Sequence, residues 1–273
     1  MRIGIDLGGT KIEAIALDEQ GVTLARQRVP TPAGDYAATV QAVTDLVLSL
    51  EKSQEQIGTV GVATPGAIAP GTGRLKNANS VCLNGQPLQV DLQTALQREV
   101  RLANDADCFA LSEATDGAAT GAAVAFGVIV GTGTGGGVVV NGQLLRGANA
   151  ISGEWGHNPL PWPQLDELPG PECYCGRRGC IETFLSGPGL ARDHAAMTGE
   201  QGDAVEIVAQ AEAGNANAEA SLQRYAQRMA RALASVINLL DPEVIVLGGG
   251  MSNIYRLYET VPLLWGEYGF STG

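Results

Sequence analysis

Ile3-Gly4-Ile5-Asp6-Leu7-Gly8-Gly9-Thr10-Lys11 reads as a buried strand that stops at a glycine turn. The same grammar returns at Ala125 to Val130, followed by Gly131-Thr132-Gly133-Thr134-Gly135-Gly136. After the first turn, Lys11 to Leu17 predicts a second strand, Asp18-Glu19-Gln20-Gly21 a turn, and Val22 to Val29 a third strand. After the second turn, Val138 to Val140 predicts a strand, and Asn141-Gly142 is the strongest two-residue hairpin signal, leading to a strand from Gln143 to Arg146. Strand, glycine turn, strand, tight turn, strand therefore occurs twice, and an internal repeat is to be read before any single motif. It predicts an α/β protein of two similar lobes, residues 1–118 and 119–273.

The segments between fit that plan. Val40, Val43, Val47 and Leu48 recur at helical spacing between Tyr36 and Lys52. Thr59 to Ala63 is a buried strand running into Thr64-Pro65-Gly66, Pro87 to Arg98 reads as helix, Val100 to Ala103 as a short strand and Ala106 to Thr120 as helix. The last third is mostly helical, with Tyr225, Met229, Leu233, Val236 and Leu240 in phase until Asp241-Pro242 stops it. Val244 to Leu247 is then a strand feeding Gly248-Gly249-Gly250.

A chain of 273 residues buries enough surface for two modest lobes, and 45% hydrophobic residues with 5% aromatics and 37 glycines is an aliphatic, turn-rich composition. A net charge of -12 argues against nucleic acid and anionic membrane as partners, because both need clustered Lys and Arg. The first residues carry no basic flank or small-residue cleavage site, and no stretch is long and apolar enough to span a bilayer. Five cysteines, an odd number, fit a reducing compartment better than a disulfide framework. The expectation is a cytoplasmic protein.

Four groups of residues could do chemistry. In Asp6 to Lys11 the glycines let backbone N–H groups approach a phosphate, and Asp6 can face Mg2+. The spacing is not that of a Walker loop; one such turn could be a plain hairpin, but the second copy at Gly131 to Gly136 favours phosphate. Asn104-Asp105-Ala106-Asp107 lies where a strand meets a helix, and one helix cap needs only one of these polar residues. A carboxylate there is placed to take a proton from a hydroxyl, and local spacing leaves Asp105 and Asp107 both open as that base. Lys76-Asn77-Ala78-Asn79-Ser80 and Asn84-Gly85 form an amide-rich loop that suits sugar hydroxyls, although loops favour these residues anyway. Cys173, Cys175 and Cys180, with His157 from a proline-rich loop upstream, make a complete tetrahedral ligand set for a structural Zn2+. His194 is expected to be solvated, and Cys82 and Cys108 to have no special role. Trp155 and Trp162 flank the histidine loop as wall or as core.

Together these pieces resemble the ROK family (repressor, open reading frame, kinase) of the actin-like, hexokinase-like superfamily. The resemblance is carried by Asp6-Leu-Gly-Gly-Thr-Lys11, Thr64-Pro65-Gly66, Asn104-Asp105-Ala106, Gly131 to Gly135, Gly153-Glu154-Trp155-Gly156-His157 and the block Cys173 to Glu182. It implies a two-lobed, ribonuclease H-like ATPase fold and a kinase that uses ATP and Mg2+ on a hexose. By the same resemblance Asp105 is the general base, and Gly66, Asn79, Asn104, Glu154, His157 and Glu182 hold the sugar. Gly9, Thr10, Lys11, Thr132 and Gly133 face the phosphates, Asp6 helps place Mg2+, Gly249 lies near the adenosine, and His157, Cys173, Cys175 and Cys180 bind zinc. Within the family, Lys76 to Ser80, Asn84-Gly-Gln-Pro87 and Gly156-His-Asn-Pro-Leu-Pro-Trp162 look most like bacterial mannofructokinases, which implies fructose or mannose phosphorylated at the 6-hydroxyl.

Members usually continue into a further segment and a final helix, so a chain ending at Gly273 is expected to be truncated on the adenosine side. The resemblance allows a homodimer. Other readings within reach are a glucokinase or N-acetylhexosamine kinase, a sugar-responsive repressor, which the acidity disfavours, and a silent sugar binder. Because Glu154 and Glu182 flank the zinc ligands, loss of zinc is expected to weaken sugar recognition more than ATP binding.

Overall fold

The computed structural model describes residues 1–78 and 80–270; Asn79, expected to contact the sugar, lies outside the described residues. The chain forms two compact units. The first comprises Met1–Cys108 with Arg146–Ile151. Its strands are β1 (Arg2–Leu7), which turns Ile3, Ile5 and Leu7 into the core by simple alternation, β2 (Lys11–Leu17), which does the same with Ile12, Ala14 and Ala16, and β3 (Thr23–Pro30). Helix α1 (Tyr36–Gln54) starts on Asp35, whose carboxylate accepts the Ala38 N–H at 2.9 Å, and ends where Glu55 turns left-handed. Its stripe of Val43, Val47 and Leu50 packs on the sheet. Then follow β4 (Thr59–Thr64), the short pair β5 (Ala67–Ile68) and β6 (Leu75–Lys76), α2 (Leu88–Leu96) and β7 (Val100–Asn104).

The sheet order is β3-β2-β1-β4-β7. The first three strands form an antiparallel meander, whereas β1, β4 and β7 run parallel, with Asp6 opposite Ala63 and Thr64 opposite Asn104. That register brings Asp6, the Thr64-Pro65-Gly66 turn and Asn104-Asp105 to one edge of the sheet, the carboxyl ends of its parallel strands. In open α/β sheets this is the edge where ligands bind.

Helix α3 (Asp105–Asp116) passes from the first unit to the second at Cys108 and Phe109, ten residues before the boundary expected from sequence. The reason is packing. A Cβ on Gly127 would come within 2.6 Å of Ala110, and one on Gly248 within 2.7 Å of the Phe109 ring. From Phe109 onward the helix therefore belongs to the second sheet.

The second unit, Phe109–Leu145 and Ser152–Gly273, repeats the plan. Strands β8 (Val124–Val130), β9 (Thr134–Val140) and β10 (Gln143–Leu144) form the meander, with β9 beginning earlier and β10 ending sooner than expected. Then come α4 (Ile181–Leu185), α5 (Gly187–Thr198), α6 (Ala204–Glu212), α7 (Ala216–Leu240), β11 (Val244–Gly248) and α8 (Arg256–Trp265). Strand β11 lies parallel to β8, as β4 lies parallel to β1. Helix α7 is capped by Asn215, whose side chain accepts from Asn217 and Ala218, and buries Leu222, Tyr225, Met229 and Leu233. His194, expected in solvent, is wholly buried: α5 turns it onto α7, where Nδ1 lies 2.9 Å from Ser221 Oγ. Among the described residues no helix is long and apolar enough to cross a membrane.

A long irregular loop joins β10 to α4, and a buried ion cluster holds it. Glu167 accepts from Arg228 at 2.7 Å and from Arg231 at 2.7 and 2.8 Å, while Arg228 also donates to Asp193 at 2.7 Å. Burial works against the Glu167 charge, but the hydrogen bonds from Arg231 and Arg228 outweigh it and bring its pKa to about 2. Removing one member of such a buried cluster strands the others, so Glu167→Gln should cost about 3–5 kcal/mol in urea unfolding at neutral pH. A pKa depressed from the ordinary glutamate value to about 2 gives stability that is present above the ordinary value and lost as pH falls towards the lower one. The gap between wild type and variant should therefore narrow across that window.

Candidate active site

In the first unit the site grows from the carboxyl edge of the sheet. Asn104 caps α3: its Oδ1 accepts from Ala106 at 2.9 Å and Asp107 at 3.3 Å, while its Nδ2 donates to the Gly66 carbonyl at 3.0 Å. One residue thus satisfies the helix end and ties it to the Thr64-Pro65-Gly66 turn. Gly66 has φ +76°, and a Cβ there would lie 2.2 Å from the Lys76 carbonyl oxygen, so only glycine lets the two loops touch. With the cap supplied by Asn104, the exposed Asp105 remains at the helix start, one oxygen on the Ala106 N–H at 2.8 Å. Crowding by surrounding protein raises its pKa, as does the nearby Asp6, against the hydrogen bonds it accepts. Asp6 is raised as well, first by desolvation and then by Glu13, with Lys11 opposing. Two carboxylates at one edge with raised affinity for protons suit either a shared cation or proton abstraction.

The first glycine turn is tight: the Gly8 N–H donates to the Lys11 carbonyl at 3.0 Å, and Thr31 Oγ1 donates to the Gly8 carbonyl at 2.7 Å. Gly9 and Thr10 line a hollow of about 430 Å³ with Thr31, Pro32 and Ser80. Asn84, which sequence offered to a sugar, is committed to the backbone: it receives the Ala78 N–H and donates to the Ala78 carbonyl, each at 2.8 Å.

In the second unit, Glu182 meets the second glycine turn. Its Oε2 accepts the Thr134 N–H at 2.9 Å, and a Cβ on Gly133 would lie 2.8 Å from the same oxygen. Gly131 and Thr132 line a cavity of about 640 Å³ whose other walls include Pro188, Val205, Val208 and Ile254. An aliphatic slot beside a turn of backbone amides fits a flat apolar ring joined to an anion. Gly250 lines this cavity, whereas Gly249, with φ +80° and its α-carbon packed on the Val130 carbonyl, stands next to it.

Trp155 is core: it is buried, sets its ring edge-on to Phe126 and donates Nε1–H to the Gly135 carbonyl at 2.9 Å. It fixes the turn Trp155–His157, capped at Glu154, on the glycine hairpin. The histidine and cysteine loops then pair directly, through Leu160 N–H to the Gly179 carbonyl and Ile181 N–H to the Asn158 carbonyl, both 2.9 Å. The ligand atoms of His157, Cys173, Cys175 and Cys180 all lie within 4.8 Å of one another. Nδ1 of His157 is 3.6 Å from Cys173 Sγ, and Cys175 Sγ is 3.6 Å from Cys180 Sγ. These separations suit a tetrahedron of bonds of about 2.0–2.3 Å. Burial and the neighbouring thiols push Cys180 up to about 12, so further thiolates form there only beside a cation. The other ring nitrogen, Nε2, lies 2.9 Å from the Tyr174 hydroxyl, a partner that sequence reading did not single out. Burial raises the Tyr174 phenol, and the carboxylates of Glu182 and Glu154 add to the effect.

The repeated hairpin sheets, each with a parallel strand added beside the meander, define the α/β fold of hexokinase-like sugar kinases. A crystal structure of a ROK hexokinase from Thermus thermophilus matches with a TM-score of 0.85 at 33% identity, over 98% of this chain and 88% of that one. A ROK family glucokinase from Streptomyces griseus, in complex with glucose and AMPPNP, matches with a TM-score of 0.82 at 26% identity, over 99% and 90%. N-acetyl-D-glucosamine kinases from Yersinia pseudotuberculosis (strain YPIII) and Vibrio cholerae are each 40% identical over 266 residues, 96% of this chain and 88% of theirs. The family model for ROK proteins matches residues 2–271, and the chain belongs to the ROK family.

The donor set makes a direct expectation. The purified chain should carry one zinc ion per molecule by plasma emission analysis, and Cys180→Ser should lower that content to well below half.

Proposed function

We propose that this chain is an ATP-dependent hexose kinase that transfers the γ-phosphoryl group to the 6-hydroxyl of its sugar. The observation that carries the reading is Asp105: a carboxylate at the start of α3, on the ligand-binding edge of the first sheet, with its pKa raised by desolvation and by Asp6. In this reading Asp105 accepts the hydroxyl proton while the sugar oxygen forms its bond to the γ-phosphorus. The bond from that phosphorus to the bridging oxygen breaks, and ADP leaves. Such a transfer needs positioning and charge stabilisation more than covalent help. The N–H groups of Gly9, Thr10, Thr132 and Gly133 and the ammonium of Lys11 serve the phosphates, and the 640 Å³ cavity the adenosine, with Gly249 shaping the adjoining backbone. Asp6 would hold Mg2+, which supplies neutralising charge to the phosphates. Gly66, Asn79, Asn104, Glu154, His157 and Glu182 are the acceptor-binding residues, and the His157 and cysteine cluster carries structural zinc.

For the acceptor, N-acetylglucosamine has the better support, because the 40%-identical relatives are N-acetyl-D-glucosamine kinases. Fructose or mannose, implied by the loop motifs, is the second reading. A coupled ATP assay over N-acetylglucosamine, glucose, fructose and mannose separates them by kcat/KM.

Asp105→Asn should keep sugar binding by calorimetry and lower kcat by about 10²–10⁴-fold. In the wild type, activity should fall as pH drops through the Asp105 pKa, since the protonated acid cannot accept the hydroxyl proton; that limb should lie above the usual aspartate range. Near-normal turnover of Asp105→Asn would move the role of base to Asp107.

A further inference from the structure

The cavity of about 640 Å³ beside the second glycine turn is walled mainly by aliphatic side chains, and three of its lining residues carry polar ones: Thr132, Asn253 and Asp203. Thr132 sits in the turn itself. Asn253 folds its amide back onto the Gly250 carbonyl at 3.2 Å. Asp203 is the one charged residue of the lining. One of its oxygens is committed to structure: Oδ1 accepts the Glu206 N–H at 2.9 Å, and Glu206 returns the bond by accepting the Asp203 N–H at 3.0 Å, a capping box that opens α6. Its other oxygen, Oδ2, accepts from no group among the described residues, and the residue is exposed. The loop ahead of it is fixed as well, since Glu200 Oε1 accepts from Asn217 Nδ2 of α7 at 2.7 Å.

We propose that Asp203 holds the ribose of the phosphoryl donor, its Oδ2 accepting from the 2′- and 3′-hydroxyls, so that the cavity selects ribonucleotides. This rests on the reading of the cavity as the adenosine site. The placement follows from the packing at the mouth of α5. The Gly187 N–H donates to the Gly131 carbonyl at 2.7 Å, and a Cβ on Gly187 would lie 3.7 Å from the Cβ of Ala204. The first turn of α6 therefore borders the glycine turn, while Val205 and Val208 continue along the aliphatic wall. Asp203 stands at the junction of turn and slot. In a nucleotide the group between phosphates and base is the ribose. A carboxylate set against the phosphates would repel them, and one set against the ribose meets two hydroxyl donors. A nucleotide seated in the slot also takes water away from this carboxylate, and it binds well only if it returns hydrogen bonds. A hydroxyl donating to a charged acceptor does so with more than the strength of a neutral bond.

Calorimetric Kd values for ADP and 2′,3′-dideoxy-ADP, each with Mg2+, read this contact without an acceptor, which separates it from the hexose kinase reading that the coupled assay tests. The wild-type chain should bind ADP about 10–100-fold more tightly than the dideoxy analogue. Asp203→Ser keeps an oxygen for the Glu206 N–H, and with it the cap of α6, but has no second oxygen. In that variant ADP affinity should fall until the two nucleotides bind within about threefold of each other, with the analogue held as in the wild type. A wild type that binds both equally would overturn the assignment. So would a Ser variant that keeps the preference, which gives the ribose to another group, or one that loses both nucleotides alike, which leaves Asp203 only its cap. An ADP preference that the Ser variant loses, in a chain that turns over no hexose, supports the ribose contact and overturns the kinase reading alone. A wild type that binds neither nucleotide removes the adenosine site and this inference with it.

Discussion

The contact on which the second unit's chemistry depends is a carboxylate on a backbone amide: Glu182 Oε2 and the Thr134 N–H, 2.9 Å apart. A charged acceptor makes this bond stronger than its neutral counterparts. It also dictates sequence, since Gly133 must lack a side chain for the carboxylate to reach the turn. Glu182 lies in the first turn of α4, two residues after Cys180, so the shape of the glycine turn and the shape of the cysteine loop are set together. The other arm of the cluster rests on the same hairpin through Trp155 Nε1–H on the Gly135 carbonyl. The hairpin is gripped by both loops that the metal ligands join. A metal held by these four residues would therefore brace the glycine turn as well as the loop that carries Glu182.

The first unit solves a different problem. Parallel pairing of β1, β4 and β7 delivers Asp6 and Asp105 to one edge, where burial raises the proton affinity of both and the charge of Asp6 adds to that of Asp105. A fold that needed only stability would separate them. Asn104 makes the arrangement tolerable by taking over the helix cap and holding the Gly66 turn, which leaves Asp105 at the edge without the duty of closing α3. Division of labour between neighbouring residues is what turns a helix start into a candidate base.

The repeated hairpins were legible because alternation and glycine turns are local signals, and their strands lie within a residue or two of expectation for β1 to β4 and β8. The ligand cluster was legible because four soft donors in two short segments have few other uses, and the structure brings all four together. The domain boundary was not, since it turns on Phe109 and Ala110 packing against Gly248 and Gly127, residues far away in sequence. Nor was His194, polar by its neighbours in the chain and buried by the face of α5 that carries it. The Glu167 cluster escaped for the same reason: Arg228 and Arg231 look like surface charges on a helix until the β10–α4 loop is laid across them. Tyr174 could have been found, as the one aromatic between two proposed metal ligands.

The loop motifs that pointed to fructose or mannose have structural explanations of their own. Asn84 closes a pair of hydrogen bonds with the Ala78 backbone, and the Gly85 carbonyl accepts from Arg74 at 2.6 Å, so the Asn84 to Pro87 segment has the composition its turn needs. Trp162, at the end of the histidine loop, packs its ring on Tyr268 at 5.3 Å and gives its carbonyl to Arg231. Residues held by scaffolding contacts say how a loop is shaped, and they say little about which hexose it admits. Selection among hexoses must then fall to the side chains that the scaffold leaves facing the acceptor. Within the second unit Glu154, Glu182 and His157 are the side chains proposed for that contact, and Nε2 of His157 meets the Tyr174 hydroxyl at 2.9 Å.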